Sequence, residues 1–128
     1  MGTMGTAQRI LVVDDDPFVI QSVQWILKPS GYELAAAGDA QQALTLLEQS
    51  KFDLVLTDYS MAHMRGDELA ERIKEQWPGT PVIMMTAYAE MMECSLSPIV
   101  GVSEVICKPF MAGKLREAVA RFLPKNAG

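Results

Sequence analysis

Four apolar runs in this chain each end on a polar or charged residue. The runs and the residues that end them are 10–13 with Asp14 and Asp15, 54–57 with Asp58, 82–85 with Thr86, and 105–107 with Lys108. If these runs are neighbouring parallel strands, their carboxyl ends lie along one edge of a sheet, where ligands collect in open α/β folds. The pattern therefore predicts three carboxylates, a hydroxyl and an ammonium group at one edge.

Three carboxylates at one edge repel one another unless a cation lies among them. The only histidine, His63, lies in a polar turn, and the two cysteines, Cys94 and Cys107, form no C-x-x-C pair. Oxygen ligands without paired His or Cys favour a hard ion, most simply Mg²⁺. Lys108 is then suited to pair with an anion that arrives at the same place.

The elements that must position these residues alternate along the chain. Short apolar runs alternate with longer segments of helical period, which is typical of βαβ units and a parallel sheet. The predicted strands span 9–13, 32–36, 53–57, 81–85 and 104–107. The predicted helices span 17–28, 39–49, 66–76, 89–100 and 111–122. Pro98 interrupts the fourth helix at a cost of about 3 kcal/mol, so we expect that helix to be short or irregular.

The first predicted helix has a clear start signal. Asp16 suits the N-cap and Pro17 the first helical position, so we assign Asp16 to the helix and not to the cation. Helical spacing places Phe18, Val23 and Leu27 on the side that faces the core.

Length and charge narrow the function classes. The 128 residues suit one domain, and a net charge of −5 without a basic stretch argues against direct nucleic acid binding by this chain. No apolar run reaches the roughly 18 residues that a membrane span needs. Residues 1–7 are mostly small and polar, so we expect a disordered or cloning-derived end. We predict a cytoplasmic protein with reduced cysteines.

Four short motifs follow one another in a specific order. They are Ile10-Leu11-Val12-Val13-Asp14-Asp15-Asp16-Pro17, Asp53-Leu54-Val55-Leu56-Thr57-Asp58 with Met61, Met64 and Gly66, Met85-Thr86-Ala87, and Lys108-Pro109-Phe110. Together they resemble the receiver domain of bacterial two-component response regulators. The resemblance implies a flavodoxin-like, doubly wound, five-stranded parallel sheet of order 2-1-3-4-5 with helices on both faces. It implies a receiver domain over 8–124, with a tail over 125–128.

The resemblance also implies a role for each residue at the edge. Asp58 would accept a phosphoryl group from a histidine kinase, a phosphotransfer protein or a small phosphodonor. Thr86 would hydrogen-bond the phosphoryl oxygens, and Lys108 would pair with them through a cis bond to Pro109. The implied Mg²⁺ ligands are Asp14, Asp15, Asp58 and the backbone carbonyl of Ser60. Such a domain catalyses its own phosphorylation and dephosphorylation and is not otherwise an enzyme.

Three positions depart from the family pattern. Val105 stands three residues before Lys108, where many receivers carry an aromatic switch; Ala62 replaces a usual proline; and Pro98 breaks the fourth helix. We therefore expect phosphorylation to draw Thr86 inward and the movement to spread through residues 87–100. That segment would contact the partner, which is an unidentified effector domain or target protein, or would form a homodimer.

Two alternatives stay open from the sequence. Asp14-x-Asp16 at a strand end, with Thr86 and Lys108 later, loosely resembles haloacid dehalogenase-type phosphatases, in which Asp14 would be the nucleophile and Asp16 the general acid. That reading gives Asp58 no role. The second alternative is a pseudo-receiver that binds partners without being phosphorylated.

Overall fold

The computed structural model describes residues 7–87 and 101–123. Its five strands form one parallel sheet of order β2-β1-β3-β4-β5, which confirms the predicted topology. The strands are β1 (Arg9–Val13), β2 (Glu33–Ala37), β3 (Leu54–Asp58), β4 (Val82–Ala87) and β5 (Glu104–Lys108). The central strands are apolar over almost their whole length, as expected of a parallel sheet that is covered on both faces.

Four α-helices are described between and after the strands. They are α1 (Pro17–Leu27), α2 (Ala40–Gln49), α3 (Gly66–Gln76) and the C-terminal helix (Ala112–Phe122). A 3₁₀ turn, Lys28–Ser30, follows α1 and contains Pro29, which has no N–H with which to continue the α-helix. The predicted helix at 89–100 lies outside the described residues. No helix of the described ranges is both long enough and apolar enough to cross a membrane.

The helices cover the sheet from both sides, as predicted. One core cluster packs α1 and the C-terminal helix on the sheet through Val23, Leu27 and Leu115. The other packs α2 and α3 on the opposite face through Leu44 and Leu69. The neighbouring strands β1 and β3 alternate their side chains between the two clusters, so their carboxyl ends lie between two packed layers. This arrangement holds the edge residues on rigid elements.

Helix α1 begins where the sequence predicts, but the orientation of the Phe18 side chain differs from the prediction. The Asp16 carboxylate accepts a hydrogen bond from the Phe18 amide at 2.9 Å, and Pro17 follows the cap. Phe18 was predicted to face the core and is instead 76% exposed. The helix rotates so that Val23 and Leu27 take the buried stripe, and Phe18 then lies on the outer side, in line with Trp25.

The register of the paired strands sets the positions of Asp58, Thr86 and Lys108 along the carboxyl edge of the sheet. Asp58 pairs with Met85, the residue before Thr86, and Lys108 pairs with Ala87. Strands β3 and β5 therefore each continue one residue beyond the predicted end and include Asp58 and Lys108 themselves. Both side chains project from hydrogen-bonded strand positions instead of from loops.

Candidate functional site

An acidic cluster lies at the carboxyl edge of the sheet. Carboxylate oxygens of Asp14, Asp15 and Asp58 all lie within 4.8 Å of one another. Asp14 is 1% exposed and Asp58 is 6% exposed, whereas Asp15 is open to solvent. The order of the strands explains the cluster, because β1 and β3 are direct neighbours and end at the same level.

Lys108 enters this cluster from β5, which is two strands from β3 and three from β1. Its ammonium Nζ lies 2.9 Å from Asp14 Oδ2 and 3.0 Å from Asp58 Oδ1. The Lys108–Pro109 peptide bond is cis, as predicted. One lysine therefore joins the ends of β1, β3 and β5, and the ammonium group partly offsets the negative charge of the cluster.

Burial and charge act on the two central groups in opposite directions. Loss of solvent raises the pKa of the Asp58 carboxyl, and nearby Asp14 raises it further, while the hydrogen bond from Lys108 lowers it and leaves a net increase. Burial acts to lower the pKa of Lys108, but its hydrogen bonds to Asp14 and Asp58 outweigh burial and raise it. The lysine therefore stays charged, and the cluster keeps excess negative charge that favours a further cation.

Asp14 has both of its carboxylate oxygens engaged by the protein. Oδ1 accepts the Asp16 amide at 2.9 Å, and Oδ2 accepts Lys108. The Asp14 backbone amide also donates to the Ala37 carbonyl at 3.1 Å, which fixes the residue at the end of β1. Asp14 is thus positioned to orient the pocket, and Asp15 beside it is the carboxylate that faces solvent.

Thr86 lies at the same edge on the neighbouring strand. It is fully buried, and its hydroxyl lies 3.4 Å from the Ala87 carbonyl, to which it donates. Because Asp58 pairs with Met85, Thr86 stands one position beyond the Asp58 level. Ser60 follows β3 in an exposed loop. The structure thus clusters Asp14, Asp15 and Asp58 and brings Lys108 into contact with Asp14 and Asp58, with Thr86 on the strand next to β3.

Gly66 packs closely against the end of β3 in a way that the sequence motif did not explain. A Cβ atom at Gly66 would lie 2.1 Å from the Asp58 carbonyl oxygen and 2.9 Å from the Tyr59 Cα. The Gly66 amide donates to the Tyr59 carbonyl at 2.7 Å, and the Tyr59 amide donates to Met85 at 2.9 Å. Only glycine permits this close approach. The one signal in the sequence was the fixed place of Gly66 in the motif.

The donor set fits a hard divalent cation. All three clustered side chains offer carboxylate oxygens, the ligands that Mg²⁺ and Ca²⁺ prefer, and no His or Cys joins the cluster within the described residues. Two buried carboxylates and one exposed carboxylate also leave a solvent-facing side, which suits an ion that keeps several waters.

The family model and the related sequences agree on one protein family. The model of the response regulator receiver domain matches residues 10–120. The chain is 37% identical over 114 residues to the DNA-binding response regulator MtrA of Mycolicibacterium smegmatis, covering 89% of this chain and 48% of that protein. It is 29% identical over 119 residues to the regulatory protein PhoP of Bacillus subtilis, covering 93% and 50%. The chain thus spans about half the length of these relatives.

Solved structures show the same fold. A CheY-like receiver domain protein from Methanospirillum hungatei superposes with a TM-score of 0.83 at 34% identity, covering 91% of this chain and 93% of that one. The response regulator TrrA of Thermotoga maritima, solved in complex with Mg²⁺-BeF, gives a TM-score of 0.82 at 29% identity, covering 90% and 98%. The residues that the family model matches, 10–120, include the whole acidic cluster, and the chain belongs to the receiver domain family of response regulators.

Proposed function

We propose that this chain receives a phosphoryl group on Asp58 and passes a signal on from there. Receiver domains are phosphoacceptors, and the observation that carries the assignment here is the Lys108 ammonium, which joins Asp14 and Asp58 at 2.9 and 3.0 Å. Asp58 is central in the cluster, ends the central strand and keeps a small exposed fraction through which a donor can approach. The proposed domain extends over residues 8–124.

The proposed metal ligands are Asp14, Asp15, Asp58 and the Ser60 carbonyl, and the proposed ion is Mg²⁺. When bound, Mg²⁺ would neutralise negative charge on the carboxylates and on the incoming phosphoryl group. Asp15 would hold the ion from the solvent side, while Asp14 would support it, since its two oxygens already accept Asp16 and Lys108. The Mg²⁺-BeF complex of TrrA supports this choice.

Each residue of the pocket would have a separate role in the phosphoryl transfer. An Asp58 carboxylate oxygen forms the new bond to phosphorus, and the bond from phosphorus to the donor breaks, with its electron pair leaving on the donor. Lys108 offsets the negative charge on the phosphoryl oxygens, and the Thr86 hydroxyl is placed to donate a hydrogen bond to one of them. Positioning and charge neutralisation supply most of the rate in such transfers. In the dephosphorylation step, a water oxygen would bond to phosphorus, the bond from phosphorus to the Asp58 oxygen would break, and the free carboxylate and inorganic phosphate would result. The same pocket would therefore promote both reactions.

Labelling with acetyl phosphate tests the acceptor. The wild-type protein should gain one phosphoryl group in the presence of Mg²⁺, and Asp58→Asn should gain none, as measured by intact-mass spectrometry. Asp39→Asn is a matched control, because Asp39 caps α2 through the Gln42 amide and asparagine caps helices equally well. Full labelling of Asp58→Asn would place the acceptor elsewhere.

Metal binding needs a separate test that does not depend on phosphorylation. Titration with Mg²⁺, followed by calorimetry, should show a site that Asp15→Ala weakens at least tenfold and that Asp39→Asn leaves unchanged. Since Asp15 is exposed, its replacement should not unfold the protein. Equal affinity in wild type and Asp15→Ala would contradict the proposed ligand set.

We propose partners for this chain from its family and from the fact that it spans only about half of its relatives' length. A histidine kinase or phosphotransfer protein in the cytoplasm would supply the phosphoryl group, and an effector domain or separate target protein would respond to it. MtrA is named as a DNA-binding response regulator. For this chain the net charge of −5 favours output through a partner over direct contact with nucleic acid.

The two alternatives are weaker than the receiver assignment. For a phosphatase, Asp14 would have to be the nucleophile, yet it is 1% exposed and both of its oxygens accept hydrogen bonds. Asp16 would have to be the general acid, yet its carboxylate caps α1. A pseudo-receiver would not need the intact acidic cluster, the lysine and the buried threonine together.

A further inference from the structure

Strand β2 forms one edge of the sheet, and within the described residues no strand lies beyond it. Two hydrogen bonds fix which of its backbone groups face β1. The Glu33 amide donates to the Gln8 carbonyl at 2.9 Å, and the Ala37 carbonyl accepts a hydrogen bond from the Asp14 amide at 3.1 Å. In a parallel pair the amide and carbonyl of one residue point to the same side, and successive residues alternate. The odd-numbered residues of β2 therefore bond to β1, and the even-numbered residues direct their amide and carbonyl groups outwards.

The outward backbone groups of β2 belong to Leu34 and Ala36. The next outward amide, that of Gly38, already donates to the Gln42 side chain at 2.8 Å, so the open edge ends there. The register with β1 runs residue to residue without a bulge. From Leu34 to Ala37 the strand has no charged residue and no proline, the features that commonly protect an edge strand from further pairing. The outer edge of β2 can therefore accept another strand.

The outward groups of β2 are self-complementary in the antiparallel direction. With a two-fold axis at Ala35, Leu34 of each copy lies opposite Ala36 of the other, and each such pair exchanges two hydrogen bonds. Leu34 packs on the face of the sheet that α1 covers, and there it would lie against the exposed methyl group of Ala36 of the other copy. The two Ala35 side chains at the axis are small enough for the close approach of a non-hydrogen-bonded pair.

The charges at the two ends of the edge favour a second copy in this direction. Lys28 is exposed in the turn before β2, and Arg9 offsets the charge of Glu33 through an ion pair of 3.4 Å. The carboxyl end of β2 is instead followed by Asp39. An antiparallel pair sets the net positive end of each strand towards Asp39 of the other, whereas a parallel pair would set like ends together. A second copy of this chain thus supplies both the matching backbone and the matching charge.

From these observations we propose that two copies of this chain associate through antiparallel pairing of their β2 edges, which joins two five-stranded sheets into one continuous sheet. The five residues of β2 are about 17 Å long. A contact of this length covers less than the roughly 800 Å² per partner of a stable interface, so the pairing is weak, reversible and dependent on concentration. It needs neither a metal ion nor phosphorylation, because no side chain of the acidic cluster takes part.

Proline substitution tests the pairing, because it can remove a single outward amide. Ala36→Pro deletes a donor to the second copy and no hydrogen bond to β1, and edge strands tolerate proline at such a position. Sedimentation equilibrium should show dimers of the wild type and an association constant at least tenfold lower for Ala36→Pro. Ala36→Lys should weaken association similarly, whereas Gln76→Lys, which adds the same charge on α3, should leave it unchanged. Circular dichroism would verify that each variant is folded.

Amide exchange and a cross-link test the register. By NMR, the Leu34 and Ala36 amides should exchange at least tenfold more slowly at millimolar than at micromolar concentration, whereas the Ala35 amide, which faces β1, should not change. Ala35→Cys lies on the axis, at a separation that suits a disulfide. It should form a linked dimer under mild oxidation faster than Ala36→Cys, which faces Leu34 of the other copy. The native Cys94 and Cys107 supply the same background in both variants.

A wild-type chain that stays monomeric at millimolar concentration would overturn the proposal, as would an Ala36→Pro variant that dimerises as tightly as the wild type. Dimers in which the Leu34 and Ala36 amides exchange as fast as in the monomer would place the contact on another surface. Protection of these two amides by an added histidine kinase, with the chain alone monomeric, would assign the edge to a different protein and would also contradict self-pairing.

Discussion

Asp58 lies in a pocket where burial and the neighbouring Asp14 disfavour the charged form of its carboxyl group. Burial and Asp14 raise the pKa of its carboxyl group, and Lys108 offsets only part of this. Replacing Asp58 removes one of three crowded carboxylates without changing the volume of the side chain. We therefore expect Asp58→Asn to raise the free energy of unfolding of the metal-free protein at neutral pH.

Urea denaturation with EDTA and with Mg²⁺ measures this effect. The gain should be present with EDTA and should shrink or reverse with saturating Mg²⁺, because the wild-type carboxylate then binds the ion and gains stability from it. Asp39→Asn, outside the cluster, should show no such dependence on the metal. A variant that is less stable than the wild type in EDTA would contradict this account of the pocket.

Tyr32 provides a titration that is independent of the metal site. Its hydroxyl is buried at the start of β2 and donates to the Leu123 carbonyl at 3.5 Å, and burial raises its pKa above 10.0. The folded state therefore keeps the hydroxyl proton at a pH where the unfolded chain has lost it. Stability from this group is complete below pH 10 and falls as the pH rises above that value.

The alkaline stability of Tyr32→Phe should reflect that loss. Wild type should lose stability through this tyrosine as the pH rises above 10.0, and the variant should lose less over the same interval. Thermal unfolding at a series of pH values measures the difference, and other ionisations cancel between the two proteins. Parallel curves for the two proteins would show that Tyr32 does not titrate on unfolding in this range.

At the scale of elements, α3 approaches β3 closely at the end of the strand that carries Asp58. Gly66→Ala would place a methyl group 2.1 Å from the Asp58 carbonyl, so β3 or the start of α3 must shift. We expect a loss of about 1–3 kcal/mol in the free energy of unfolding, which is typical of overpacking, together with slower labelling of Asp58. Urea denaturation and intact-mass spectrometry measure the two effects.

Gly79→Ala is the matched control for that substitution. No atom lies within 4 Å of a Cβ at Gly79, so the same added methyl group should change stability and labelling little. If Gly66→Ala were labelled as fast as Gly79→Ala, the contact of Gly66 with the acceptor strand would have no role in positioning Asp58.

The elements were predictable wherever the sequence contained a local signal. Runs of buried residues gave the five strands to within two residues at each end, and Asp16-Pro17 gave the start of α1. The orientation of Phe18 was not predictable, because it depends on how α1 rolls against the sheet and the C-terminal helix. Helical spacing alone is compatible with Phe18 at the margin of the buried stripe. Whether residues 87–100 transmit the signal stays a prediction, since most of that segment lies outside the described ranges.

At the scale of the molecule, the acidic cluster was predictable from the sequence. The contacts of Lys108 and Gly66 that surround the cluster were not. Parallel strands put their carboxyl ends on one edge, so Asp14, Asp15 and Asp58 had to be close once the order of strands was given. The separate contacts of Lys108 with Asp14 and Asp58 depend on three-dimensional distances. So does the need for glycine at position 66, which arises from a backbone contact between α3 and the end of β3.

The contacts of Lys108 also mean that the pocket forms only when distant parts of the chain have come together. Its two carboxylate contacts join residues that are 94 and 50 positions apart in sequence, so no local fragment can contain the site. Acceptance of a phosphoryl group should therefore report on global folding. In a urea series, the fraction of protein that acetyl phosphate labels in a short pulse should fall together with the circular dichroism signal of the helices. Labelling that persisted in the unfolded chain would mean that Asp58 reacts without its lysine. If labelling instead falls together with folding, a cell that contains this domain would phosphorylate only molecules whose first, third and fifth strands have already assembled.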